Sequence, residues 1–543
     1  MPIYADAIIS AKQVITMDSF NSTVTSVAIK DGIILAVGDD LRSVQGPDTA
    51  THSFLDCTVL PGFIEPHTHP DLCAQMYSWV DISGFSHKTS IEVMEALRKS
   101  IDKAPKGEWI FAFGYDPVIF PDLTGLTRDE LDDIAPENPI AVMTQSMHTL
   151  FVNSLALSEA GIDESSEPAR FGGEYVRDHT GRLTGKIEES PAMRPFLRFF
   201  DDSKETRSNN LSRQYDRYKS VGITTIGSAG LFFRDEETVA LYQDETVGDR
   251  LRIRNAVYLR HMDIDNHNLP KFPSNKVFGM SGVKLWYDGS PYTGTMLLDQ
   301  PYLNTELTTK GLGIATDSTG RANWELDEFY QLVSGLHDRG VQILVHAQGD
   351  RATREVLDTF ERVLNNSSNK VHRHRIEHSA LMERDEILRA ADLGISISFH
   401  MNHVKYYGQR LRDEIIGSDR SQYLMPARSA QEAGIRISLH ADSPMFPPNP
   451  LDLVQTAVGR MSVTGEMINE PEKLDLKDAM RAVTIDAAWQ LGIDDQVGSL
   501  EVGKLADFTI LGQNPFDVNT NKLNAIPILD TWLSGTSTNS LIN

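Results

Sequence analysis

The sequence predicts an α/β fold: a (β/α)8, TIM-like barrel with a small β domain built from both termini and a large insertion over the barrel mouth. Three observations predict it. Short apolar runs recur at residues 59–65, 223–228, 251–258, 283–288, 341–346, 374–378, 394–399 and 435–440, spaced for crossover helices as parallel strands buried on both faces require; eight such strands close a barrel. Both ends of the chain carry brief strand pieces between turn residues. The interval from 85 to 220 is too long for a structureless connection in a compact fold.

At the N-terminus, Val24 to Ile29 and Ile33 to Val37 are joined through Asp31-Gly32, a pair suited to a tight hairpin. VGSLEVGKLADFTIL at 497–511 again sets glycines between short strand candidates and can complete the same small sheet. The small domain is therefore placed at 1–60 plus 491–543, the barrel at 61–490 and the insertion at 85–220 within it. In the barrel, the helical stretch Leu326 to Leu336 precedes the strand ILVH, and Ser429 to Ala433 leads into IRISLH. The insertion holds further apolar runs, WIFAFGYD at 109–116 and PIAVMTQSMHTL at 139–150. An alternative register puts one of these into the barrel and demotes a later strand.

Of 543 residues, 40% are hydrophobic and 23% charged, which excludes a disordered or fibrous chain. A formal net charge of -25 is badly matched to a phosphate backbone, and no nucleic-acid recognition motif is present. Cys57 and Cys73 permit one disulfide at most and favour a reducing compartment. The start MPIYADAIIS lacks a basic flank and a sustained apolar core, and no segment offers about 18 uninterrupted apolar residues. The expectation is a soluble, cytoplasmic protein with neither nucleic-acid nor membrane partners.

GFIEPHTHP at 62–70 is the strongest chemical signal. On a strand, His67 and His69 project to one side, so both imidazoles can face one ion at the strand's C-terminal end. Two His at this spacing are weak evidence alone. Three later strand ends strengthen it: VQILVHAQGD places His346, HRIEHSA places His378 and IRISLHADSP places Asp442 where separate barrel strands converge. Imidazole and carboxylate donors suit Zn, with Mn, Fe or Co as alternatives. Lys284, in SGVKLWYDGS, sets an ammonium among apolar strand residues, which is costly unless it is paired or chemically changed. Carboxylation by carbon dioxide would make it an anionic oxygen ligand able to bridge two metals; on the residues alone, a lysine reaching solvent or bonding Asp288 is the simpler reading.

The motifs PGFIEPHTHP, TGKIEES, GVKLWYDGS, HAQGDRA, RIEHS, HADSP and GSLEVGKLADFTIL span nearly the whole chain. In this order they resemble the metal-dependent amidohydrolase superfamily, specifically amidohydrolase family 3, the grouping that includes N-substituted formamide deformylases. The resemblance implies a barrel carrying the metal site and a β-sandwich formed from both termini. It implies that His67 and His69 are ligands from the first strand, His346 and His378 ligands after the fifth and sixth, and Asp442 a ligand after the eighth. It also makes Lys284 a candidate N6-carboxylated bridge in a site of one or two zinc ions. Family sequences commonly read HAIGD around the fifth-strand ligand; Gln348 here replaces Ile beside His346 without displacing a ligand.

Other residues carry weaker assignments. Likeness around HTLFVNSLAL makes His148 and Asn153 pocket candidates, although a helix cap explains Asn153 equally. Glu189, at the end of TGKIEES, is a candidate pocket carboxylate, and Asp350 and Arg351 are placed to orient the strand-end loop or pair with each other. His400 and His403 are candidate substrate contacts, while His440 leaves the metal role to Asp442. Trp79, Phe113, Tyr115, Trp286, Tyr292, Tyr406 and Tyr407 permit an apolar or aromatic substituent, but most serve equally well in core packing or at the insertion interface. The expected activity is hydrolysis of a small amide-like C–N bond by metal-activated water, with Asp442 as general base and acid. Rival readings are an esterase, a metal-dependent deaminase, and an inactive metal-binding or regulatory scaffold. A homo-oligomer is compatible with the resemblance.

Overall fold

The structure, a computed structural model, describes residues 3–167, 170–231, 253–264 and 278–538. At its centre are eight parallel strands: β1 (Phe63–Thr68), β2 (Ile223–Leu231), β3 (Arg254–Arg260), β4 (Phe278–Trp286), β5 (Gln342–Ala347), β6 (Arg375–His378), β7 (Ser396–His400) and β8 (Ile437–His440). They form one eight-stranded sheet in chain order. Each predicted run overlaps one of them, and the first two residues of the run at 251–258 lie outside the described residues. No insertion run enters the barrel. β2 and β3 are buried at every position, which is why these strands read as continuous apolar runs rather than alternating ones. At the seam between β8 and β1, the Glu65 carboxylate accepts the Ala441 N–H at 3.1 Å, and the His69 N–H donates to the Ser443 carbonyl at 2.9 Å.

The crossover helices present one apolar stripe to this sheet. In Leu326–Asp338, Phe329, Leu332, Val333 and Leu336 are buried, the spacing that lines one helical face. Arg384–Leu393 stops at Gly394, whose left-handed backbone returns its N–H to the Ala390 carbonyl. No described helix is long and apolar enough to cross a membrane.

Strands from the two termini interleave. Ala7–Ile15, Thr23–Lys30, Ile33–Gly38 and Ala50–Pro61 join Phe508–Leu511, Ile528–Leu533 and Thr536–Ser537 in a seven-stranded sheet. Asp31 and Gly32 both take positive φ in the predicted hairpin. Where two facing sheets are expected, the described strands make one continuously hydrogen-bonded sheet, with Ile9, Val27, Val59, Phe508 and Trp532 in its core.

The insertion is built around a six-stranded sheet, running spatially from Glu174–Arg177 through Leu183–Glu188, Thr149–Val152, Ile140–Thr144 and Ile110–Tyr115 to Val80–Asp81. Apolar clusters cover both faces, one around Phe111, Leu150 and Met193, the other around Val93, Val142 and Phe151. The sheet therefore begins before residue 85. The helix Lys204–Ser220, in contrast, packs on β2 as a barrel crossover.

The loops leaving β4 and β5 interlock above the barrel. The Asp288 carboxylate accepts the N–H groups of Leu297, Gln348 and Gly349 at 2.9, 2.9 and 3.0 Å. A Cβ on Gly349 would stand 1.8 Å from the Leu297 carbonyl oxygen, so only glycine allows this approach. Gly349→Ala is expected to destabilise the fold by about 2 kcal/mol or more, since backbone must move. Urea denaturation checks it; an unchanged midpoint would show that the loops separate freely.

Candidate metal centre and cleft

Five barrel strands deliver the predicted ligands to one place. His67 projects from β1, Lys284 from β4, His346 from β5 and His378 from the end of β6, while His69 and Asp442 lie just past β1 and β8. The rings of His67 and His378 are 4.8 Å apart and those of His346 and His378 4.4 Å. Asp442 Oδ1 lies 3.2 Å from His69 Nε2 and 3.5 Å from His67 Nε2, and Lys284 Nζ is 3.2 Å from His67 Nε2. His346 Nε2 is 3.0 Å from the Gly289 carbonyl.

Support comes from residues that sequence reasoning passed over. Glu377 pairs with His67 Nδ1 and with Arg375, whose Nη2 also donates to the Pro66 carbonyl at 3.0 Å. All three side chains are fully buried. The signal was in HRIEHSA, where alternation sets Arg375 and Glu377 on one face of a strand too apolar to hold a lone charge. His440, discounted above, stacks on His67 at 4.6 Å and places Nε2 3.1 Å from His378 Nδ1.

The electrostatics separate neutral imidazoles from an ionised carboxylate. Burial first, and then the Lys284 cation, hold His67 well below the ordinary histidine range. Burial does the same to His346 and His378, reinforced by neighbouring His148 and His346 respectively. For Asp442, burial opposes ionisation, but the facing imidazoles of His67 and His69 outweigh it and keep its pKa well below the usual carboxylate range. Burial pulls Lys284 down to about 8 against the attraction of Glu377 and Asp442.

These donors fit a divalent metal. The ligand atoms of His67, His69 and Asp442 lie within 4.8 Å of one another, and those of His378, His400, His440 and Asp442 form a second such group. His69 Nδ1 and Asp442 Oδ1 are buried without a hydrogen-bond partner, the latter despite its closeness to His69. Neutral imidazoles and an ionised carboxylate are the forms that bind zinc.

Beside this cluster a cleft opens beneath the insertion. His148 and Glu189 line it, His148 Nδ1 lying 2.8 Å from a Glu189 oxygen whose partner oxygen accepts from Thr295 at 2.6 Å. Burial works against a charged His148, but the Glu189 carboxylate prevails and raises its pKa.

Several expectations need correction. Asn153 is outside the cleft: it caps Ser154–Ala160, accepting the Ala156 N–H at 2.9 Å and donating to the Ala135 and Asn138 carbonyls at 3.1 and 2.9 Å. Asp350 and Arg351 do not pair through their side chains; Asp350 accepts the Asp299 N–H at 3.0 Å, and Arg351 reaches out to Glu355 at 2.8 Å. His400 and His403 stand behind the cluster, their rings 4.2 Å apart, His400 with Nε2 3.0 Å from the Ala441 carbonyl and His403 against Tyr292. Of the seven aromatic candidates only Trp286 lines the cleft, and Trp79 is instead stacked on Phe111 in the insertion core. Methionines do the lining: Met143, Met147, Met193, Met262 and Met445.

A parallel barrel with a histidine, lysine and aspartate cluster at the carboxyl ends of its strands defines the class. The amidohydrolase family profile matches residues 56–538, and the chain belongs to that family. It is 28% identical over 542 residues to an N-substituted formamide deformylase of Arthrobacter pascens, covering 98% of this chain and 97% of that one. It is 27% identical over 563 residues to the Arabidopsis thaliana protein LONG AFTER FAR-RED 3, covering 98% of this chain and 91% of the other. Its fold is similar to that of an uncharacterized metal-dependent hydrolase from Pyrococcus horikoshii, with a TM-score of 0.71 and 22% identity over 95% of this chain and 99% of that one.

The corrected role of Asn153 has a direct test. Asn153→Ala is expected to lower stability by about 1–2 kcal/mol through loss of the cap, while substrate affinity stays unchanged; a selective rise in KM with unaltered thermal stability would return Asn153 to the pocket.

Proposed function

We propose that the chain is a metal-dependent hydrolase of a small amide-like carbon–nitrogen bond, with N-substituted formamides as the favoured substrates. The observation that carries this reading is the convergence of neutral, buried imidazoles and an ionised Asp442 at the mouth, with orphaned polar atoms on His69 and Asp442. In this reading His67, His69, His346, His378 and Asp442 hold one or two zinc ions, and Lys284 is the carboxylated bridge. Similarity to a formamide deformylase along almost the whole chain supports the substrate class.

A divalent ion bound there supplies Lewis acidity for the substrate carbonyl and lowers the pKa of water. Asp442 accepts the proton of the attacking water and returns it to the leaving nitrogen as the C–N bond breaks, so that a formamide yields formate and the amine. His148, oriented through Nδ1 by Glu189, binds the substrate at the cleft side of the cluster. Lys284 is fully buried, and its low pKa leaves a fraction of neutral amine. That amine would add to the carbon of carbon dioxide, the N–C bond forming as one C=O π bond opens onto oxygen, and the proton shed by the nitrogen would pass to water, leaving the carbamate anion.

Stringent chelation is expected to abolish hydrolysis across a formamide panel and zinc to restore it, with formate and amine released in equal amounts. Full activity in metal-free protein would reject the reading; hydrolysis of other amides or of matched esters with no formamide turned over would move the substrate class alone. Asp442→Asn should lower kcat by about 10²-fold or more with zinc retained, and nearly unchanged turnover would remove Asp442 from proton transfer. Protein equilibrated with ¹³C-bicarbonate should show a carbamate carbon resonance that Lys284→Met lacks. A spectrum without that resonance leaves Lys284 unmodified and the site a single-ion one.

A further inference from the structure

One wall of the cleft takes no part in the chemistry above. Phe171, His261, Trp286 and Asn323 line it. The His261 ring lies 5.2 Å from Phe171 and 4.7 Å from Trp324, in edge-on and tilted contacts that fix its plane. It is 9% exposed, yet neither ring nitrogen meets a hydrogen-bond partner. Asn323 is 7% exposed, and its Nδ2 donates to the carbonyls of Trp286 at 3.3 Å and Asp288 at 3.1 Å. Those two bonds determine which end of the amide is which, so the unpartnered atom, Oδ1, is an acceptor. It lies against Gly172, where a Cβ would come within 1.8 Å of it.

Folded proteins rarely leave buried polar atoms unmatched, and two such side chains lining one cleft, His261 against Phe171 and Trp324 and Asn323 against Gly172, call for a ligand. The two are complementary in character. Asn323 Oδ1 can only accept, while the imidazole, with both nitrogens unpartnered, offers one N–H and one lone pair. An ammonium is a poor fit. The Arg170 guanidinium already sits 5.1 Å over Phe171, and Lys284 Nζ lies 5.2 Å from the centre of the Trp286 ring.

We propose that this wall is a specificity subsite for a neutral aromatic ring carrying an O–H or N–H donor, of phenol or indole type, on the nitrogen substituent of the substrate. The donor's single hydrogen goes to Asn323 Oδ1 or to the lone pair of His261, a phenol oxygen in turn accepting the imidazole N–H, and the ring packs against Trp286 and Phe171. The inference rests on the hydrolase reading only in taking this cleft as the substrate's.

Calorimetric titration of the intact zinc-loaded protein with 4-methylphenol and 4-methylanisole tests it without turnover. The two probes share a ring and differ in the donor. The hydroxylated probe is expected to bind about tenfold tighter, and His261→Phe, which keeps the ring and removes the acceptor nitrogen, to cut that preference at least threefold by weakening the hydroxylated probe alone. Equal affinities in the unaltered protein, or no binding of either probe, overturn the subsite, and that comparison stands whether or not the variant folds. The full preference retained in folded His261→Phe overturns it as well. Formamide hydrolysis with no donor preference would sink the subsite and spare the hydrolase reading. Donor preference without hydrolysis would do the reverse.

Discussion

The centre depends on a buried charge balance beneath His67. Arg375 is a fully buried guanidinium, so a carboxylate has to accompany it, and Glu377, two residues on and on the same face of β6, does so. The same carboxylate holds the Nδ1 edge of His67, which turns Nε2 toward Lys284 and Asp442. The next residue along is His378. One strand of four residues, Arg375–His378, thus provides the cation, its counter-ion, the tether for a ligand on β1 and a ligand of its own. Its neighbours follow from register: Glu377 stands opposite His346 on β5 and Ser398 on β7, and Ser398 lies 2.7 Å from His440 Nδ1. Breaking such a pair leaves an uncompensated buried charge at a cost of about 3–5 kcal/mol, so stability and ligand orientation cannot be varied separately here.

Backbone strain collects at the same rim. His378, Asp442 and Glu189 all have positive φ, of 73°, 54° and 65°. Side chains there cost about 1–3 kcal/mol each unless the surroundings over-determine them. For His378 the neighbouring Ser379 N–H is tied to the Ala347 carbonyl at 3.1 Å, and for Asp442 the Ala441 N–H is held by Glu65. Glu189 is carried by the insertion. Just before it, Glu188 pairs with Lys186 and Arg321, both at 2.8 Å, and Arg321 donates to the Gly172 carbonyl at 3.0 Å. That network clamps the insertion to the barrel loop that also carries Asn323, so both walls of the cleft are set by one group of charges.

The barrel was legible because its strands are short, apolar and evenly spaced, and five of the main candidates were legible because ligands at strand ends leave polar residues on otherwise buried runs. Lys284 stands apart: between Val283 and Leu285 it reads, on the residues alone, as a lysine reaching solvent or bonding Asp288, and the family resemblance is what marked it. Less was legible where function and packing use the same residue type. Asn153 and Asp350 were open to two readings in the sequence, and each takes the structural one, a helix cap and a loop contact. The aromatic residues were open in the same way, and Tyr292, Tyr406 and Tyr407 pack with one another and with Phe446 rather than lining the cleft. The sheet shared by both termini was legible from its turn-flanked strand pieces, whereas the insertion's starting point depends on long-range pairing, which local patterning does not specify.

The cleft is accordingly uneven in stiffness. At the cluster end, groups are tied by buried ion pairs and strained backbone; at the subsite, Asn323 is fixed by two backbone carbonyls and His261 by flanking rings. The same lining includes Met143, Met147, Met193, Met262 and Met445, unbranched and polarizable side chains that repack around different shapes. A substrate held at both ends by fixed polar groups has its orientation set there, and the methionines accommodate the connecting part. Selectivity for the reacting bond and for the distal donor then follows from the ends, because leaving a buried acceptor unpaired costs more than an imperfect apolar contact. Variation in the length or bulk of the linking segment is the dimension along which this architecture tolerates change.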